Sequence, residues 1–256
     1  MRALLRLIPI VLLASPPAAA LAAAPVRSPQ EAQRYRECLD LAQSDPAQAI
    51  DQATQWRAAG GGVPARHCLA LAYGKKGDFA AAATALVGAA QAAEAEGDRH
   101  AADLWGQAGN AAMLAKAPAA AITDFASGIA IAGTEPVRLA SLLTDRAGAL
   151  VSANRTTEAK ADLARATVLD PSAAGGWLLL ATLERRLKDL PAAERAILEA
   201  AKREPTDPDI ALEAGNIAGA QGRTDLARVQ WKKVVDGAPG SEAAVAAAKS
   251  LALNPG

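Results

Sequence analysis

The side chains best suited to special chemistry in this sequence are two cysteines and two histidines: Cys38, Cys68, His67 and His100. The histidines are well separated along the chain. A metal site would need further nitrogen or sulfur ligands at close spacing, and the sequence has none. Gly60-Gly61-Gly62 is not followed by the lysine and serine or threonine of a phosphate loop, and no Gly-x-Ser-x-Gly elbow occurs. Glu94 and Glu96 stand two apart, on different faces of a helix, so they do not form a carboxylate pair. These residues predict no enzyme, no metal site and no cofactor. The cysteines admit three chemistries. An even cysteine count in an exported chain favours a structural disulfide; two buried thiols packing as small hydrophobes come next. A redox-active pair is the third, and it lacks the Cys-x-x-Cys spacing.

Which chemistry holds depends on the elements that carry the two thiols, and those repeat. Pro171, Pro205 and Pro239 recur at one constant step of about 34 residues, a period that marks stacked repeats. Ala147, Ala181 and Gly215 keep the same step, as do Ala159, Ala193 and Ala227. Leu163, Ile197 and Trp231 form a large apolar series, and Ala166, Ala200 and Val234 a fourth. Within each unit a first helix has a small residue at its middle, and a polar turn follows. A second helix then presents small, large and small or medium residues at spacings of four and three, hence on one face. Proline closes the unit because it cannot continue the helix. Composition agrees: 51% of residues are hydrophobic but only 3% aromatic, and alanine dominates. Alanine has the highest helix propensity and lets helices approach closely.

Upstream units are looser. One spans Pro64 to Ala95; the next carries Trp105, Gly109, Ala121 and Phe125. The steps from Ala82 to Ala121 and from Ala121 to Ala159 are both longer than the regular one, so extra residues belong around Glu94–Arg99 and Gly133–Pro136. A first unit runs from Tyr35 to Arg57 with a shortened turn at Asp45-Pro46, entered through a capping box of Ser28, Pro29 and Glu31. Cys38 and Cys68 each directly precede an aligned leucine, Leu39 and Leu69, so they take matching places in neighbouring first helices. Trp56, Trp105, Trp177 and Trp231 fall in phase with the repeat and are expected to pack rather than to form ligand platforms.

The beginning reads as a secretory signal peptide. Arg2 and Arg6 precede the apolar run Leu7–Ala14, and small residues offer Ala-x-Ala sites. The expected signal covers residues 1–22, with cleavage between 20 and 24. The apolar core is shorter than the roughly 20 residues needed to span a bilayer. Formal charge is zero and the isoelectric point about 6.8, so there is no basic footprint for nucleic acid or lipid.

Trp177, Leu180, Ala181, Ala193, Ile197, Ala200 and Pro205 together resemble one whole tetratricopeptide repeat (TPR) motif, and Gly77-Asp78-Phe79 and Gly222-Arg223 resemble its internal turn. The resemblance covers about residues 30 to 240. It implies an all-α, right-handed α-solenoid of about six helix-turn-helix repeats. The expected division is irregular repeats over 28–132, three regular ones over 137–240, and a capping helix with a tail over 241–256.

In similar proteins the first helices line a concave surface that holds a peptide or a helix. The residue after the mid-helix small position points inward there. That implies a binding surface at Asn110, Thr182 and Asn216, flanked by Gln107, Arg185, Arg186 and Glu213. A clamp for a terminal carboxylate is not supported, because Gly106, Gly148, Leu178 and Leu179 occupy its basic places. The expected function is a non-catalytic protein-interaction scaffold in a bacterial periplasm with a protein or peptide partner. The alternatives are a self-assembling envelope protein and an accessory domain for envelope polysaccharide synthesis or export.

Overall fold

The computed structural model describes residues 28–254, and among these it contains thirteen helices and no strand. The signal-peptide expectation lies outside the described residues. Helices α1 (Pro29–Ser44) and α2 (Pro46–Ala58) form the first hairpin, α3 (Gly62–Lys75) and α4 (Phe79–Ala95) the second, α5 (Ala101–Leu114) and α6 (Pro118–Ile131) the third. Three more follow: α7 (Pro136–Ser152) with α8 (Thr156–Leu169), α9 (Ala174–Arg186) with α10 (Leu190–Arg203), and α11 (Pro208–Ala220) with α12 (Thr224–Gly237). Each second helix packs against the next first helix, and α13 (Glu242–Leu253) covers α12 and touches α11. The chain is therefore an all-α solenoid whose hairpins contact mainly their neighbours.

Local chemistry sets the helix ends. Ser28 accepts from the Glu31 backbone N–H at 3.2 Å while Glu31 accepts from the Ser28 N–H at 3.0 Å, the reciprocal capping box expected from sequence. Asp45, Asp78, Asp189 and Asp207 cap α2, α4, α10 and α11 through their carboxylates, satisfying N–H groups that have no partner within the helix. The first hairpin turns through Asp45 alone, whose φ is negative, while the turn inside each later hairpin has one residue in the left-handed region. Gly77, Lys116, Asn154, Lys188 and Gly222 supply it, with φ between 59° and 79°.

Packing inside a hairpin is a trade of volume between two positions. Where the first helix has glycine, the second has an aromatic ring: a Cβ on Gly109 would lie 2.6 Å from Phe125, and one on Gly215 would lie 2.5 Å from Trp231. Where the first helix has alanine, the second has an aliphatic residue, as in Ala147 with Leu163, Ala181 with Ile197 and Ala70 with Leu86. All of the large partners are buried. A small residue on one helix thus makes room for the large one opposite, which lets the two helices of a hairpin pack closely. Of the tryptophans, Trp56, Trp105 and Trp231 are buried, while Trp177 is half-buried beneath the Arg203 guanidinium.

The first helix is held differently from the rest. Over its length α1 buries only Cys38 and Ala42. Its firm attachment is the disulfide from Cys38 to Cys68 of α3, with Cα atoms 6.1 Å apart. Among the three cysteine chemistries, the structure has the structural disulfide. It closes a loop of 30 residues, and constraining the unfolded chain by that much stabilises by about 3–4 kcal/mol.

Two outcomes are expected. Gly215→Ala lowers the melting temperature despite alanine's better helix propensity, because overpacking against the Trp231 ring costs about 1–3 kcal/mol. Adding Trp231→Leu restores part of that loss; thermal denaturation of the single and double variants checks it. Replacing both cysteines with serine releases α1 first. Limited trypsin digestion then cuts at Arg34 and Arg36 before the C-terminal hairpins open, whereas the oxidised protein resists at those sites.

Candidate functional site

Successive first helices lie side by side, and polar side chains pass between them. His67 on α3 bridges two neighbours. Its Nε2 meets Gln107 Oε1 of α5 at 2.9 Å, and its Nδ1 hydrogen-bonds the Tyr35 hydroxyl of α1. With the Gln107 oxygen accepting, Nε2 carries the proton and Nδ1 accepts from tyrosine. Both ring nitrogens are thus occupied in holding helices together. The other histidine, His100, is exposed beside Asp103. No group of His, Cys, Asp and Glu that could hold a metal ion occurs among the described residues.

Between α5 and α7 runs an open cleft of about 490 Å³, lined by Gln107, Asn110, Arg138, Ser141 and Asp145 among others. Its floor is acidic. Arg138 is shared by Asp103 and Glu135, each at 2.8 Å, and this pairing holds the guanidinium pKa above its ordinary value. Asp145 has no ion pair among the described residues. Burial raises its carboxyl pKa, and a hydrogen bond with Asn110 offsets that only in part. Between α7 and α9 a smaller, apolar hollow of about 220 Å³ is bounded by Ala147, Gly148, Val151, Leu163, Leu179, Thr182, Leu183 and Arg186.

The seven residues expected at the surface therefore divide. Gln107, Asn110, Thr182 and Arg186 line these two clefts. Arg185, Glu213 and Asn216 are joined in one network, in which Glu213 is buried and Arg185 and Asn216 stay partly exposed. Arg185 donates to Glu213 at 2.6 and 3.1 Å, Asn216 Nδ2 donates to Glu213 at 3.2 Å, and the Trp231 indole N–H donates to Asn216 Oδ1 at 3.1 Å. Glu213, expected to flank an open groove, is buried because its charge needs the Arg185 fork and its helix packs on α9. Sequence reasoning missed Asp145. It follows Gln107 by the same step that separates Gly109 from Ala147, so carrying the Gln107 place forward one repeat would have found it.

A second buried acid has the opposite meaning. Asp162 on α8 is gripped by Arg146 of α7 through two hydrogen bonds of 2.7 Å. Asp124 holds the matching place one hairpin earlier, but Ala108 stands where Arg146 would be. With no partner among the described residues, burial pushes the Asp124 carboxyl up to about 6. It lines neither cleft. Its folded pKa lies above its unfolded value, so its contribution to stability is fully present below about pH 4 and is lost as pH rises through about 6. Asp124→Asn accordingly melts higher than the parent at pH 7.5, and the gap narrows as pH falls from 6 to 4. Paired melting curves across that range check the sign.

No protein-family model and no curated protein sequence matches this chain. Solved structures do. PilW, described as a widely conserved type IV pilus biogenesis factor, superposes with a TM-score of 0.66 at 16% identity, covering 85% of this chain and 97% of its own. The pilF protein of Pseudomonas aeruginosa gives 0.64 at 13% identity, over 88% of this chain and 99% of its own. YrrB, described as a TPR protein with an unusual peptide-binding site, gives 0.53 at 17% identity, over 72% and 91%. At these identities the likeness concerns the fold, and it agrees with the repeat read from the residues: the chain is a solenoid of the tetratricopeptide-repeat fold.

Proposed function

We propose that this protein is an exported, non-catalytic adaptor of the bacterial periplasm that holds a peptide or helical segment of another protein against its first helices. The observation that carries this reading is the stripe along α7. Val137, Ser141, Asp145 and Gly148 follow one another at helical spacing and line three adjoining clefts that reach from α5 to α9. Such an open, elongated surface suits a segment of chain rather than a small molecule, whose sites enclose most of the ligand. Gln107, Asn110 and Thr182 supply donors and acceptors along it that a peptide backbone can meet.

Export is supported by the basic-then-apolar start of the sequence and by the disulfide, which persists in oxidising compartments. Among the described residues no helix is long and apolar enough to cross a membrane. The fold likeness to PilW and YrrB adds two precedents, a pilus biogenesis factor and a peptide-binding repeat protein.

Photo-crosslinking in intact cells tests the reading. A crosslinking amino acid at Asn110 or Thr182 captures a partner protein, and the same group at Val168, exposed on a second helix, does not. Equal capture from Val168, or adducts only with further copies of this chain, would overturn it in favour of a non-specific or self-assembling surface.

A further inference from the structure

Gly148 is a glycine that the fold does not require. It lies inside α7, one turn before its end, and its φ is not in the left-handed region. A Cβ added there would meet nothing within 4 Å. Gly109 and Gly215, by contrast, make room for Phe125 and Trp231. Glycine in a helix interior costs about 1 kcal/mol relative to alanine, and at Gly148 no internal contact offsets that cost. What the missing side chain leaves is the apolar hollow whose walls are Ala147, Val151, Leu163, Leu179 and Leu183. Leu179 is 40% exposed at its rim, so an apolar surface is left open to solvent.

Asp145 lies three residues before Gly148 on the same helix, a rise of roughly 4.5 Å. It faces the cleft that also holds Asp103, Glu135 and Arg138. Three carboxylates there meet one guanidinium, and that guanidinium already serves the other two. That cleft is therefore negative, and the half-buried Asp145 is its acid without a cation among the described residues, while the adjoining hollow carries one cation, Arg186. An acidic group placed against Asp145 would be repelled, and a purely apolar one would leave the carboxylate buried further without compensation.

We propose that this stretch of α7 takes a peptide segment in which a lysine or arginine stands close to a leucine, isoleucine or valine. The cation pairs with Asp145 and the aliphatic side chain fills the hollow over Gly148. This rests on the first-helix face being the binding face, and it specifies the chemistry of the partner there.

A phage-displayed library of random dodecapeptides, selected on the whole chain with its disulfide intact, provides the probe. Selected sequences are synthesised with a fluorophore and measured by fluorescence anisotropy. The expected sequences carry Lys or Arg within one helical turn's worth of residues from Leu, Ile or Val. Asp145→Asn weakens their binding about thirtyfold, the low end of the range for losing one partner of a desolvated charge pair. Gly148→Leu abolishes binding by filling the hollow, while its melting temperature stays at or above the parent's because leucine is the better helix former. Selected sequences that are acidic, or affinities that neither substitution changes, would overturn the proposal. If such peptides still lose binding in Asn110→Ala or Thr182→Ala, the first-helix face remains the binding face and only this assignment falls. Selection of no peptide at all removes both.

Discussion

Everything in this molecule hangs on the distance between the two helices of a hairpin, and that distance is set by one small residue meeting one large one. Glycine stands opposite the Phe125 and Trp231 rings, and alanine opposite the shorter aliphatic chains of Leu86, Leu163 and Ile197. A solenoid cannot absorb a local misfit elsewhere, because each hairpin touches mainly its neighbours and any change of spacing displaces all that follow. The stacking also places successive first helices near enough to exchange hydrogen bonds, as His67 does with Gln107 and Arg185 with Glu213. The surface on which a partner would sit is thus a consequence of how the hairpins are filled.

Charge in this protein mostly serves the stacking. Arg146 with Asp162, Lys160 with Glu184 and Arg185 with Glu213 each bring a buried or nearly buried carboxylate to a basic group on a neighbouring helix. Removing one partner from such a pair leaves a buried charge uncompensated, so these pairs fix which helices may be neighbours more than they add net stability. Asp124 and Asp145 are the exceptions. For the first, alanine stands at the sequence place where the next hairpin has arginine, and burial raises its pKa. The second opens onto a cleft. Two acids raised by the same physical cause thus differ in meaning, and only their surroundings separate them.

Much of the architecture was legible because the residues that specify it recur at a fixed step. Proline at the end of the three regular units, a small residue at mid-helix and a cap or left-handed residue at the turn act locally, within one hairpin. The site was less legible. Asn110 and Asn216 hold equivalent places in their repeats, yet Asn110 lines a cleft while Asn216 receives the Trp231 indole proton. The sequence has tryptophan opposite one and phenylalanine, with no donor, opposite the other. That difference acts between helices, and a reading of single helix faces does not reach it.

The sequence by itself determined the class of fold, the count and phase of the repeats, and the matching places of Cys38 and Cys68, because these follow from backbone propensity and periodic volume. Only the tertiary structure decided that the two sulfurs are joined, that Glu213 is paired with Arg185, and that Asp145 lies in a cleft beside an apolar hollow. The physical reason is the same in each case. Burial and pairing depend on the side chain that a neighbouring helix brings within a few ångströms, and period alone does not specify which side chain that is.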